Sequence, residues 1–202
     1  MPKLGMEPIR RDALVKATIA EVGVTGSLDV TVARIARRAG VSPGLAHHYF
    51  GGKEDLLFAA MRHILGLYGA SVRAELARAA TPLDRLAGII RASFGPDNFE
   101  PAVIAAWLSF YVHAQSDPGA RRLLGIYQAR LGSNLTHALR PLAGAQAPDI
   151  AWTLASMIDG LYIRHALGDA PDGPQASARV IALAGTLIAA GAPHTMTTGE
   201  AP

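Results

Sequence analysis

No cysteine occurs in the 202 residues of this chain. Disulfides, thiol catalysis and thiolate metal sites are thereby excluded, and the composition suits a reducing cytoplasm. Strand signals are nearly as scarce: alternating β-branched runs joined by Asn-Gly or Asp-Gly turns are absent. The most apolar stretch, from Val180 to Ala192, is too short to cross a bilayer. The opening Met1-Pro2-Lys3-Leu4-Gly5 lacks the long apolar run of a secretory signal. A soluble, cytoplasmic protein with no membrane partner is the expectation. Charge is close to balance, with 19 Lys and Arg against 16 Asp and Glu and a net +3, which permits nucleic-acid binding without demanding it. A nucleophile elbow, a P-loop, a Rossmann glycine pattern and a paired-carboxylate site are all missing. His113 and His137 sit in helical contexts without an obvious partner. Nothing therefore points to an enzyme, a metal or a cofactor.

What is present is helical period, again and again. Half the residues are hydrophobic, enough for a substantial core. A first helix is expected from Pro8 to Val22, with Gly23 and Gly26 ending it. A second follows from Thr31 to Ala39 and a third from Ser42 to Phe50, each opened by a good N-cap. After Gly51-Gly52 a long fourth helix runs from Lys53 towards Ala79, its early acids suited to the positive end of the helix dipole. Pro82 to Phe94, Ala102 to Gln115, Gly119 to Leu139, Pro148 to Leu167 and Pro174 to Ala190 complete an all-α chain. The expected division is a DNA-binding unit at 1–52, a helical ligand-binding and dimerisation unit at 53–191, and a disordered tail at 192–202.

The segment from Thr31 to Phe50 carries the function. Two short capped helices meet at Ala39-Gly40-Val41-Ser42, where Gly40 supplies the left-handed backbone that a tight turn needs. Val32, Ile35, Ala36, Val41, Ala46 and Phe50 can fill the wedge between them. Such a helix-turn-helix fixes an interhelical angle, so that the second helix enters the major groove of double-stranded DNA. Ser42, Pro43, Gly44 and Leu45 then meet base edges, with His47 one turn on, and Pro43 and Leu45 offer apolar surface to thymine methyls. Thr31, His48, Tyr49 and Lys53 are placed to hold phosphates, Lys53 at a helix N-terminus. Arg10, Arg11, Arg34, Arg37 and Arg38 add salt-dependent attraction, although Arg37 and Arg38 can equally form a merely solvated face. His47 and His48 are adjacent and so do not share a helix face, which argues against a metal pair. A helical protein-interaction adaptor is the reading in which the same helices do not bind DNA.

Taken together, these parts resemble the TetR family of one-component repressors. Thr31, Ile35-Ala36, Ala39-Gly40-Val41-Ser42 and Tyr49-Phe50-Gly51-Gly52-Lys53-Glu54-Asp55-Leu56 stand in that family's order. The resemblance extends to its BetI-type members, which control choline-to-glycine-betaine synthesis. Pro2-Lys3-Leu4-Gly5-Met6 with Ile9-Arg10-Arg11, Ala106-Trp107-Leu108-Ser109-Phe110 and Met157-Ile158-Asp159-Gly160-Leu161-Tyr162-Ile163-Arg164 carry it through both units. Pro43, Leu45, Ala46 and His47 depart from the expected recognition helix, so the operator sequence is not implied. The resemblance implies a homodimer on a palindromic operator, with the last two helices forming a four-helix bundle. Ala155, Ile158, Leu161, Ile181, Ala184, Gly185 and Ile188 are the expected bundle face. It also implies a small-molecule effector, with choline as one candidate and an unrelated molecule as the alternative. Trp107, Phe110, Tyr111, Trp152 and Tyr162 are candidate cage walls, and Asp159 a counter-charge, because an aromatic cage is the usual host for a quaternary ammonium. Ordinary core is the alternative for each aromatic, and a salt bridge to Arg164 the alternative for Asp159.

Overall fold

The structure is a computed structural model and describes residues 5–169 and 171–191; the tail at 192–202 and the opening Pro2-Lys3-Leu4 lie outside them. Nine α-helices follow in order among the described residues: α1 Met6–Thr25, α2 Val32–Arg38, α3 Pro43–Phe50, α4 Lys53–Arg78, α5 Pro82–Ser93, α6 Pro101–His113, α7 Pro118–Ala143, α8 Ala147–Ala166 and α9 Gly173–Gly191. A single 3₁₀ turn, Gly144–Gln146, joins α7 to α8, and no strand occurs among the described residues.

Helix starts obey local chemistry. Thr31 Oγ1 accepts from the Arg34 amide at 3.2 Å and Ser42 Oγ from the Leu45 amide at 3.2 Å. Thr81 and Asp84 form a reciprocal capping box, and Asp117 caps α7 through the Ala120 amide at 2.6 Å. Each cap satisfies an amide that the first turn would otherwise leave unpaired. At the far end of α2, Gly40 takes φ 68°. The Val41 amide then reaches the Ala36 carbonyl at 3.0 Å and the Gly40 amide the Arg37 carbonyl at 3.2 Å. These are the two bonds of a Schellman ending.

Two expectations need correction. Helix α1 does not stop at Gly23. It begins at Met6, passes through Gly23 and ends at Gly26, which has φ 62°. Gly23 serves close packing instead: a Cβ there would stand 2.5 Å from the Ala102 Cβ of α6. Helix α7 continues through Pro141 to Ala143, since a proline in the last turn removes only one intrahelical bond.

Helix α1 lies along α6 and α4 and against α2, while α7 packs on α8 and on α5, and α9 on α8 and α5. One contiguous core therefore runs from Leu14 of α1 to Ala184 of α9, with no gap in the packing after residue 52. This packing also corrects the expected bundle face. Ile158, Leu161 and Ala184 are buried within the single chain. Gly185 is exposed as expected and Ala155, Ile181 and Ile188 are half-buried, while the outward side otherwise runs through Trp152, Ser156 and Ile163 of α8 and Ala178, Ala182 and Thr186 of α9.

Because a Gly23 side chain meets the Cβ and Cα of Ala102, Gly23→Ala forces α1 and α6 apart. Overpacking of this kind costs about 1–3 kcal/mol. Urea denaturation should show a lower midpoint for Gly23→Ala, whereas Gly66→Ala on α4, where nothing stands in the way, should leave stability equal or raised.

Candidate functional site

The outer surface of α3 presents Pro43, Gly44, His47 and His48, with Leu45 half-buried and Ala46 fully buried beneath them. His47 Nδ1 lies 3.0 Å from the Gly51 carbonyl. That bond requires a proton on Nδ1 and leaves Nε2 of the neutral ring as an acceptor facing outward. Thr31 and Ser42 use their hydroxyls as caps, so their outward contribution comes from the exposed helix starts themselves. Lys53 stays half-exposed and pairs with Asp29 at 3.3 Å. Tyr49 is half-buried, its ring tilted against His48 at 5.5 Å.

Three arginines expected to attract DNA have other work. Arg11 Nη1 donates to the Tyr49 carbonyl at 2.6 Å, and its guanidinium lies 4.5 Å from the Phe50 ring centroid, which ties α1 to the end of α3. Arg34 forms an ion pair with Glu21 Oε2 at 2.8 Å, and Arg38 Nε donates to Glu21 Oε1 at 2.6 Å. Glu21 is the last acidic residue of α1, its side chain only 6% exposed. The Arg38 hydrogen bond, with the charge of Arg34 behind it, holds its carboxyl below the usual range. This clamp fixes α2 on α1. The sequence reading missed it because a partner 13 or 17 residues away leaves no periodic signal. Arg37, exposed and without a carboxylate partner among the described residues, is the guanidinium of α2 left facing outward.

The second site lies where α4, α6, α7 and α8 converge. The Tyr111 hydroxyl donates to Asp159 Oδ1 at 3.0 Å. Trp107 packs 5.8 Å from Tyr111 and 4.6 Å from Tyr127, and Tyr127 packs 5.7 Å from Tyr68. Asp159 is mostly buried, and among the described residues no cation pairs with it; Arg164, the partner considered from sequence, turns to Asp169. Burial raises its carboxyl above the ordinary range, opposed in part by the Tyr111 hydrogen bond. Burial pushes Tyr68 up to about 12 and holds Tyr111, Tyr127 and Tyr162 above the ordinary phenol value, with the charge of Asp159 adding to each. All four rings carry neutral hydroxyls.

Of the expected cage residues, Trp107, Tyr111 and Asp159 come together. Tyr162 stands apart from them: its hydroxyl donates to the Ser93 carbonyl and its buried ring packs 5.2 Å from Phe99 and 6.0 Å from Phe94. Phe110 does not join them: it turns to Phe58, 6.4 Å away, and is fully buried core. Trp152 is 74% exposed and stands on the outer rim of an α7–α8 groove of about 410 Å³ that Tyr127 and Asp159 also line. Tyr68 and Tyr127 were not foreseen.

A capped helix-turn-helix with exposed polar groups on its second helix, joined through one core to a helical unit with a largely buried carboxylate beside stacked aromatic rings, defines the class: a DNA-binding regulator. Comparison with known proteins gives the family. Residues 14–60 match the model for bacterial regulatory proteins of the tetR family, and residues 82–191 match the C-terminal model of BetI-type transcriptional repressors. The HTH-type transcriptional regulator BetI of Brucella anthropi is 55% identical over 182 residues, spanning 89% of this chain and 94% of that protein. A crystal structure of a Pseudomonas aeruginosa PAO1 chain, 26% identical, superposes with a TM-score of 0.78 and covers 93% of each chain. A Saccharomonospora viridis chain solved in complex with choline superposes with a TM-score of 0.74 at 21% identity, covering 84% of this chain and 92% of that one. The protein belongs to the TetR family and carries a BetI-type C-terminal domain. It is a DNA-binding transcriptional repressor and not an enzyme; TetR regulators act as dimers on operator DNA and answer to small molecules. No described helix is long and apolar enough to cross a membrane.

Burial makes Asp159 harder to ionise in the folded chain than in the unfolded one. A carboxyl whose folded pKa is raised supports the fold while protonated, and that support is lost as pH rises through the raised pKa. Asp159→Asn removes the loss. Its urea midpoint should exceed that of the wild type near about pH 7, and the gap should close as pH falls below the ordinary aspartate value of about 3.9. A gap that persisted unchanged in acid would show that desolvated charge is not its source.

Proposed function

We propose that this repressor controls genes for the conversion of choline to glycine betaine and that a quaternary ammonium of the choline type is its effector. The observation that carries this is Asp159: a largely buried carboxylate with a tyrosine hydroxyl but, among the described residues, no cation beside it, next to the stacked rings of Tyr111, Trp107 and Tyr127. A buried charge without a partner is costly. A methylated ammonium supplies the missing charge and presents methyl groups to ring faces, which attract it further. The BetI names of the relatives agree with this chemistry, and the fold holds choline in the S. viridis chain.

The division of labour would be a DNA reader at 1–52 and an effector and dimerisation unit at 53–191. Pro43, Gly44, Leu45 and His47 would face base edges, while the α2 and α3 starts at Thr31 and Ser42, with His48, Tyr49 and Lys53, would hold phosphates. Arg37 replaces Arg34 as the α2 phosphate partner, since Glu21 engages Arg34. Two copies would meet through the outward sides of α8 and α9, where Ala178, Ala182 and Gly185 allow close approach. Two recognition helices one DNA turn apart then read a palindrome.

Fluorescence anisotropy on DNA from upstream of the protein's own gene, titrated with choline, tests the effector. Choline should change operator affinity, and Asp159→Asn should shift the half-effective choline concentration upward by roughly tenfold or more, as expected for losing one desolvated charge contact. A choline response equal in Asp159→Asn and wild type would remove Asp159 from the site. The same assay addresses the reader. Arg37→Ala should weaken binding to all sequences and flatten the log–log salt slope by about one. His47→Ala should instead cost about 1–3 kcal/mol on the operator alone, and equal losses on operator and random DNA would sink its base-reading role.

A further inference from the structure

A second cavity, a groove of about 340 Å³ between α4 and α7, is also lined by Tyr127. Its floor is Tyr68, Val72 and Tyr127, all buried. Leu65 and Leu76 of α4 and Ile126 of α7 form apolar walls, and Ile126 is 41% exposed in spite of its size. The remaining lining is of one sign. Arg73 comes from α4 and Arg130 from α7, with the Asn134 amide one turn beyond Arg130.

Neither arginine has a carboxylate within salt-bridge distance among the described residues, although the carboxylate nearest in sequence to Arg73, Glu75, takes Arg91 at 2.8 Å and Arg78 at 3.6 Å. Arg73 is exposed but does not run straight out from its helix. Its guanidinium folds back along α4 over Gly69, where an added Cβ would lie 3.3 Å from Nη1. Two guanidiniums thus flank an apolar floor from opposite helices. Guanidinium forks match carboxylate and phosphate oxygens, and a cleft of this size with few polar groups is of the small-molecule kind.

We propose that the α4–α7 groove binds a small organic anion, a carboxylate or phosphate monoester on a short apolar body. Arg73 and Arg130 take the head group, and Leu65, Leu76 and Ile126 cover the body. The charge preference is opposite to that of the Asp159 cleft, and Tyr127 forms a wall of both.

Calorimetric titration of the full-length protein with octanoate, octyl phosphate and octyltrimethylammonium tests this. In Asp159→Asn, which lacks the charge proposed to hold a quaternary ammonium, one or both anions should bind, and more tightly than the cation of equal length. The anion that binds names the head group. The double variant Arg73→Gln with Arg130→Gln should lose anion affinity by roughly tenfold or more while keeping operator affinity and the choline response. Both arginines are exposed, so the variant should fold, which an unchanged urea midpoint would verify. No anion binding at millimolar concentration, equal binding of the cation in Asp159→Asn, or undiminished anion affinity in the double variant would overturn the proposal. Operator binding that ignores choline while anions still bind would count against the Asp159 site alone.

Discussion

The contact between Gly23 and Ala102 sets the geometry on which much else depends. Helix α1 is the base of the DNA-reading unit. It holds α2 through Glu21 with Arg34 and Arg38, and the end of α3 through Arg11. Helix α6 carries Trp107 and Tyr111. Only a glycine at 23 lets the two backbones lie this close, and Ser109 adds a weak bond to the Gly26 carbonyl at 3.5 Å. Reader and cleft therefore share a wall, without a linker between them. A packed interface of this kind transmits displacement because it cannot deform smoothly.

The two halves use charge in opposite ways. In the reader, Glu21 is buried but doubly paired, and its partners stay partly in water, so the carboxylate is stable and fixes an angle. In the cleft, Asp159 is buried with a hydroxyl for company. The sequence places its only adjacent basic candidate, Arg164, on the same helix, yet the α8–α9 turn draws that side chain to Asp169. The fold thus retains an unfavourable charge where an apolar residue of similar size would be tolerated. Such sites are where function is commonly found. Neutral tyrosines around it give the cleft both a dipole for the carboxylate and ring faces for a cation.

The helices were legible because their ends are local events. Thr31, Ser42, Thr81 and Asp117 announce starts through their own side chains, and Gly26, Gly40 and Gly51 allow the backbone to turn. Gly23 misled for the same reason: a glycine near a helix end looks like a stop, and only the arrival of Ala102 from 79 positions onward explains it. The site residues split along the same line. Trp107 and Tyr111 follow from spacing on one helix. Phe110 lies one step away on that helix and faces a different neighbour, Phe58, which no spacing within α6 reveals. Tyr68 and Tyr127 come from helices whose relative rotation is fixed by α5 beneath them. Trp152 is a warning of the opposite kind, since a large aromatic on an apolar helix was expected inside and the rotation of α8 turns it out.

That rotation also bears on how an effector could act. The outward faces of α8 and α9 are the surfaces left for a second copy, and Asp159 sits on α8 between its inward and outward sides. A cation drawn to Asp159 would bear on Trp107 and Tyr111 of α6 at one side and, through Tyr127, on Tyr68 of α4 at the other. Helix α6 leads to α1, and α4 begins at Lys53 directly after α3. Both routes end at the reader, so a small change in the cleft is felt twice. Coupling free energies of about 1–3 kcal/mol change affinity roughly 5- to 150-fold. In a dimer, each reader must keep its spacing from the other to hold both half-sites. A displacement too small to unfold either reader can still spoil the distance between them, and loss of that register releases both contacts together.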